Sequence, residues 1–259
     1  MRFCSLGSGS SGNATVVEAG RGASRSRVLV DCGFSSRELE QRLARAGLAP
    51  ADLDAVFVTH EHADHIGCAL TLARRHGVPL WMSRGTWRAI GAPDLPDSLL
   101  RFARDGQRIA LGDLELCPYT VAHDAQEPLQ LRCSDGAASL GVLTDAGTIT
   151  AHLLAHLQRC DALLLECNHD PAMLAASRYP AALRARISGP YGHLSNASAA
   201  RVLAACMHAG LKHLVAAHLS EQTNRPELVR AALASAVGAC SGDIVVADQR
   251  LGFEWLALN

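Results

Sequence analysis

The segment "THEHADHIG", Thr59 to Gly67, places His60, His62, Asp64 and His65 within six consecutive positions, directly after the apolar run "DAVFV". Imidazole and carboxylate together are donors for Zn²⁺, and also for Mn²⁺ or Fe²⁺. Residues two apart in extended chain point to one side, so His60 and His62 can reach a common point. Asp64 and His65 follow just after the chain turns into a helix, where they can reach a second point nearby. The spacing H-x-H-x-D-H therefore offers two donors to each of two adjacent ions. A solvated His-rich loop is the alternative, and it does not explain why a buried strand delivers the cluster.

Two ions need more donors than one loop supplies, and the others should stand where further strands end. "LCPYTVAHD" presents His123, "SLGVLTDAG" presents Asp145 before a glycine, and "HLVAAHLS" presents His218. Singly, each reads as a turn or hydrogen-bonding residue. With the loop they complete a set. His60, His62 and His123 would hold one ion; Asp64, His65 and His218 would hold the other. Asp145 would bridge both through its two oxygens.

The runs "RVLVDCG", "DAVFVTH", "VPLWMS", "LELCPYTVAH", "LQLRCS", "ASLGVLTDAG", "DALLLECN" and "HLVAAHLS" read as the strands that position these residues. "SRELEQRLARAG", capped by Ser36, reads as a helix, as do "IGCALTLARRHG", "SNASAARVLAACMHAG" and "RPELVRAALASAVG". Their interleaving implies an α/β protein. Residues 91–108 read as an irregular surface excursion. No linker or repeat divides the chain, so residues 1–259 read as a single domain.

Of 259 residues, 49% are hydrophobic, and 24 Lys and Arg against 25 Asp and Glu leave a net charge of −1. No bulk field draws this chain to nucleic acid or to a membrane, so any nucleic-acid groove must be local. No apolar run is long enough to span a bilayer, and the N-terminal stretch lacks a signal-peptide core. Nine cysteines without a C-x-x-C pair read as a reduced, cytoplasmic protein.

The order "HEHADH", His123, Asp145, His218, with "VLVDCG" upstream, resembles the metallo-β-lactamase superfamily. The resemblance covers essentially the whole chain. It implies a four-layer αβ/βα sandwich with a dinuclear site along one edge between two sheets, and Asp31 supporting the metal loop without binding metal. "SLGSGSSGNATVVE", "LLLECNHD", "GHLSN" and "AHLSEQTN" are similar to the YycJ (WalJ) branch. That branch implies a DNA-directed phosphodiesterase, exonucleolytic in action. Two ions would activate a bridging water for in-line attack, Asp64 and Asp145 would orient it, and His193 would serve the leaving oxygen. Glu166, Asn168, His169 and Asp170 would take supporting or loop-shaping places, and Arg186, Ser195 and Asn196 supporting or substrate-contacting ones. Nothing in the chain points to a protein partner.

Several features stay open between two readings. "SLGSGSSGN" reads as a hairpin turn or as a backbone cradle for an anion. Arg178, Arg184 and Arg186 read as a cationic rim or as a solvated helix face. Trp81, Trp87 and Trp255 read as base-stacking groups or as core. Val142 stands where the tRNA-maturing branch carries a glutamate, three residues before Asp145. The competing functions are a hydrolase of small thioesters, lactones or cyclic phosphodiesters, and a metal-dependent sensor or binding protein. The complete donor set argues against the sensor.

Overall fold

A computed structural model describes all residues except 21, 23, 238–243 and 259. Two seven-stranded mixed sheets form its centre. In the first, β1 (Arg2–Gly7), β2 (Ala14–Ala19) and β3 (Ser26–Val30) form an antiparallel meander. From β3 the pairing turns parallel through β4 (Ala55–Phe57), β5 (Leu80–Met82) and β6 (Leu100–Phe102). Helices α1 (Ser36–Arg45), α2 (Ala63–Ile66), α3 (Ala69–His76) and α4 (Arg84–Ala89) fill the crossovers.

The second sheet repeats this plan. β7 (Ile109–Leu111), β8 (Leu114–Thr120), β9 (Leu129–Ser134) and β10 (Ser139–Leu143) are antiparallel. β11 (Ala162–Glu166), β12 (His213–Ala217) and β13 (Ile244–Val246) then add in parallel. Helices α5 (Ala151–Leu157), α6 (Pro171–Ala176), α7 (Ala181–Ile187), α8 (Asn196–Cys206) and α9 (Pro226–Val237) make these connections, and β14 (Phe253–Ala257) returns to the open edge of β1.

The alternation of side chains along each strand sets the layers. Val28 and Val30 of β3 join Ala162 and Leu164 of β11 in the core between the sheets. Leu29 faces the other way, onto Leu39 and Leu43 of α1 and Leu72 of α3. Leu163 and Leu165 pack outward with Leu153 of α5, Val202 of α8 and Val229 of α9. With both faces buried, central strands such as β4, β10 and β11 are largely apolar, and the order helix, sheet, sheet, helix is the four-layer α/β sandwich expected from the sequence.

The local readings need four corrections. Ser35, not Ser36, caps α1, its hydroxyl accepting from Glu38 N. The "IGCALTLARRHG" stretch splits because Gly67 sits at φ +32° between α2 and α3. A Cβ there would lie 2.3 Å from Cys32 O, so the glycine permits close approach of the loop carrying Asp31. The predicted "SNASAARVLAACMHAG" helix stops at Cys206. Residues 91–108 are no simple excursion: they contain edge strand β6 and bury Leu95 and Ala103.

Parallel strands β3 and β4 end at one edge of the first sheet, and β10, β11 and β12 end together in the second. The loops leaving those carboxyl ends carry the candidate donors, the usual position for a site in parallel sheets. Among the described residues, no helix is long and apolar enough to cross a membrane.

Candidate metal centre

Asp31 follows β3, and its φ of +63° is rare for a residue with a Cβ. The bend aims its carboxylate at the metal loop. Asp31 Oδ1 accepts from Thr59 N at 2.8 Å, and Oδ2 stands 2.8 Å from His65 Nδ1. The Thr59 hydroxyl reaches Asp31 and lies 3.0 Å from His60 Nδ1. An acceptor on Nδ1 assigns that nitrogen the proton, which turns the Nε2 lone pair of His65 inward.

The hairpin reading of "SLGSGSSGN" holds, since residues 8–13 join β1 to β2. The hairpin also braces the centre. Asn13 N donates to Asp64 O at 2.8 Å, Asn13 Nδ2 stands 3.2 Å from His65 Nε2, and Ser8 Oγ accepts from His218 N at 2.8 Å.

All seven predicted donors converge. His60 Nε2 lies 3.0 Å from His62 Nδ1, which lies 3.3 Å from His123 Nε2. His123 Nδ1 faces Gly192 O and His62 Nε2 faces Asp124 O, so each ring keeps its other nitrogen for the shared point. On the second side, Asp64 Oδ2 lies 3.5 Å from His65 Nε2 and 3.4 Å from His218 Nε2. Donors around a tetrahedral Zn²⁺ stand about 3.3 Å apart, from bond lengths near 2.0–2.1 Å. Asp145 lies between the groups, with Oδ2 3.0 Å from His65 Nε2, Oδ1 3.1 Å from His218 Nδ1, and Oδ1 3.8 Å from His123 Nε2.

Asp145 Oδ2 and both ring nitrogens of His218 are buried without a hydrogen bond. Buried polar atoms ordinarily have partners, so three orphans converging here fit a cation. His218 also sits at φ +55°. Strain of this kind costs on the order of 1–3 kcal/mol per residue and collects at functional sites.

The two sides differ electrostatically. Burial holds the imidazoles of His60 and His123 below the ordinary histidine pKa, leaving them neutral. For His65, burial acts the same way, but the carboxylates of Asp145 and Asp31 overcome it and raise the pKa to about 10. His218 is raised too, burial again being outweighed by Asp145 and Asp64. The pKa of Asp145 is driven well down: burial would raise it, yet His218 and His65 prevail.

Glu166 ends β11 fully buried, and the structure gives specific partners to the supporting or loop-shaping place expected for it. Its Oε2 accepts from Ala146 N at 2.9 Å and Leu194 N at 3.1 Å, while Oε1 takes His193 Nδ1 at 2.7 Å. His193 Nδ1 is also 3.2 Å from Asp145 Oδ1. Burial lowers the His193 pKa, but the Glu166 and Asp145 carboxylates outweigh it and lift it to about 9. Asp124 was missed; it pairs with Arg186 and lies 3.4 Å from His123 Nε2.

The remaining candidates support rather than face the centre. Asn168 Nδ2 donates to His218 O, and Ser195 Oγ caps α8. Asn196 and Asn224 exchange side-chain hydrogen bonds of 2.8 Å in each direction, and Asn224 Nδ2 also donates to Cys167 O. This buried amide pair joins "GHLSN" to "SEQTN". His169 is buried, pairs through its backbone with Ser195, and leaves Nδ1 unbonded. Of the cationic rim, Arg186 reaches the mouth through Asp124, whereas Arg184 donates to Tyr179 O within its own segment. The three tryptophans are half-buried against the cores.

Residues 7–136 match the family model described as the metallo-beta-lactamase superfamily. The chain is 33% identical over 233 residues to exodeoxyribonuclease WalJ of Streptococcus pneumoniae serotype 2, covering 88% of this chain and 84% of that protein. It is also 33% identical over 232 residues to exodeoxyribonuclease YycJ of Bacillus anthracis, covering 89% and 86%. The chain belongs to the metallo-β-lactamase superfamily. Within that superfamily it is a YycJ/WalJ-like member. The fold agrees: the metallo-beta-lactamase fold protein YhfI of Bacillus subtilis superposes with a TM-score of 0.74 at 18% identity, covering 98% of each chain. Metallo-β-lactamase membership and the clustered His and Asp donors mark this edge as a divalent-metal site.

Proposed function

We propose that the chain is a dinuclear metal-dependent exodeoxyribonuclease. The observation that carries this reading is the similarity to exodeoxyribonucleases over nearly the whole chain, with every donor position filled. His60, His62 and His123 would hold one ion, Asp64, His65 and His218 a second, with Asp145 shared between them. The donor chemistry suits Zn²⁺, and Mn²⁺ or Fe²⁺ as well. When bound, such a pair supplies Lewis-acid stabilisation of phosphoryl oxygens and an acidified water.

The chain's own residues do the rest. Asp64 is the more open of the two central carboxylates, at 23% side-chain exposure against 2% for Asp145. It therefore offers the attacking water an acceptor at the solvent face. Glu166 accepts from His193 Nδ1 and fixes this partly exposed ring, which leaves Nε2 to give a proton to the leaving oxygen. Thr59 and Asp31 keep the loop from reorganising as charge develops, an electrostatic preorganisation.

The test is digestion of end-labelled single- and double-stranded DNA by Zn²⁺- or Mn²⁺-loaded protein, beside thioester, lactone and cyclic phosphodiester substrates. Progressive shortening from one DNA end is expected. Turnover confined to the small esters would replace this reading with that of a small-molecule hydrolase.

A further inference from the structure

The turn before His193 carries a side chain that the centre does not use. Tyr191 is 62% exposed, and of the four large hydrophobic residues exposed among those described it alone is aromatic. Its ring makes no hydrogen bond, ring contact or cation contact among the described residues. Its backbone is the opposite. Tyr191 O accepts from Asp124 N at 2.9 Å, Gly192 O faces His123 Nδ1 at 3.0 Å, and Pro190 O accepts from Thr148 Oγ1 at 2.6 Å. His193 N closes the turn on Ile187 O at 2.9 Å.

Gly147 lets the turn settle this closely. A Cβ there would fall 2.5 Å from Gly192 N and from Pro190 O. The result is a stiff backbone tied to His123 and Asp124, two positions before His193, that carries one aromatic ring exposed to solvent. Arg186 pairs with the side chain of Asp124, the residue whose N–H binds Tyr191 O. An exposed aromatic face on a fixed backbone is a usual means of holding a nucleobase without reading its sequence.

We infer that Tyr191 is a positioning residue on which the base beside the scissile phosphate stacks, with the fixed turn setting the distance from base to metal centre. This rests on the nuclease reading. The partner it requires is an unpaired base, so the subsite takes single-stranded or frayed DNA ends. The tryptophans considered for stacking pack against the cores, and this tyrosine takes that place instead.

The experiment compares parent, Tyr191→Ala and Tyr191→Phe, all Zn²⁺-loaded, on a single-stranded oligonucleotide. Matched oligonucleotides carry one abasic residue at each of the first three positions from either end. A phosphorothioate-ended, cleavage-resistant version is titrated by fluorescence anisotropy. Base–aromatic stacking of about 1–3 kcal/mol corresponds to roughly a 5–150-fold loss in kcat/KM and in affinity for Tyr191→Ala. Tyr191→Phe should stay close to the parent. On the oligonucleotide whose stacked base is missing, parent and Tyr191→Ala should behave alike. An alanine variant as active as the parent on intact DNA, or one equally impaired with every abasic substrate, would overturn the inference while leaving the nuclease reading in place. A parent that neither cleaves nor binds DNA would remove both.

Discussion

The first sheet reaches the metal centre with one stretch of chain, and the second reaches it with several. His60, His62, Asp64 and His65 leave the end of β4 within a single loop, braced by Asp31 and Thr59. His123, Asp145 and His218 follow three different strands of the second sheet, while Glu166 ends β11 and His193 lies on the connection from β11 to β12. A contiguous loop can be ordered by a few local hydrogen bonds. Dispersed donors meet only if the parallel register of β10, β11 and β12 is right and the turns beyond those strands are tied together. Glu166 does that tying for Ala146, His193 and Leu194, and the Asn196–Asn224 pair does it for the loops on either side. The two halves should therefore fail differently.

The largest effect is expected at the residue both halves share. Asp145→Asn keeps the volume but removes the charge that His65 and His218 face. Loss of several kcal/mol of electrostatic stabilisation corresponds to at least about 10³-fold in kcat. A circular dichroism spectrum matching the parent's would separate this from unfolding, and near-parental turnover would reduce Asp145 to a turn residue.

Asp31→Asn probes the first-sheet loop alone. Asparagine tolerates the left-handed backbone, so the change is confined to the carboxylate that orients His65. Metal affinity should fall about 10–100-fold, the usual cost of losing such a partner, as measured by competition with a chelating dye. An unchanged affinity would mean that the loop orders itself.

Asn196→Ala probes the ties of the second half and should give the smallest effect on chemistry. It removes two buried hydrogen bonds from the Asn224 amide, which keeps only Cys167 O and Arg225 N as partners, at a cost of about 1–3 kcal/mol that should lower the thermal midpoint. Metal content at saturation should stay at the parental level. Loss of an ion in this variant would show that the amide pair holds His218 as well as the loops.

The same contrast explains what could be read from the sequence. The "HEHADH" loop is legible because its donors are neighbours and their spacing alone carries the chemistry. His123, Asp145 and His218 are legible because each follows an apolar run, and the layered fold follows from strands that are apolar on both faces. Asp124 escaped, and Glu166 was legible only as a supporting residue, because their partners lie across the fold: Glu166 meets His193, and Asp124 meets Arg186 and His62. Asn13 escaped for the same reason, being a hairpin residue whose target, Asp64, lies 51 positions away. Strand β6 was hidden by its length of three residues and its proline-containing approach.

The count of bound ions tests the central claim most directly, that one loop and several distant strand ends build two adjacent sites. Native mass spectrometry of Zn²⁺-saturated protein should show two ions per chain. His62→Ala, which removes a donor from one side only, should retain one of them. A parent that never exceeds one ion, or a His62→Ala variant that keeps both, would contradict the division of donors described here.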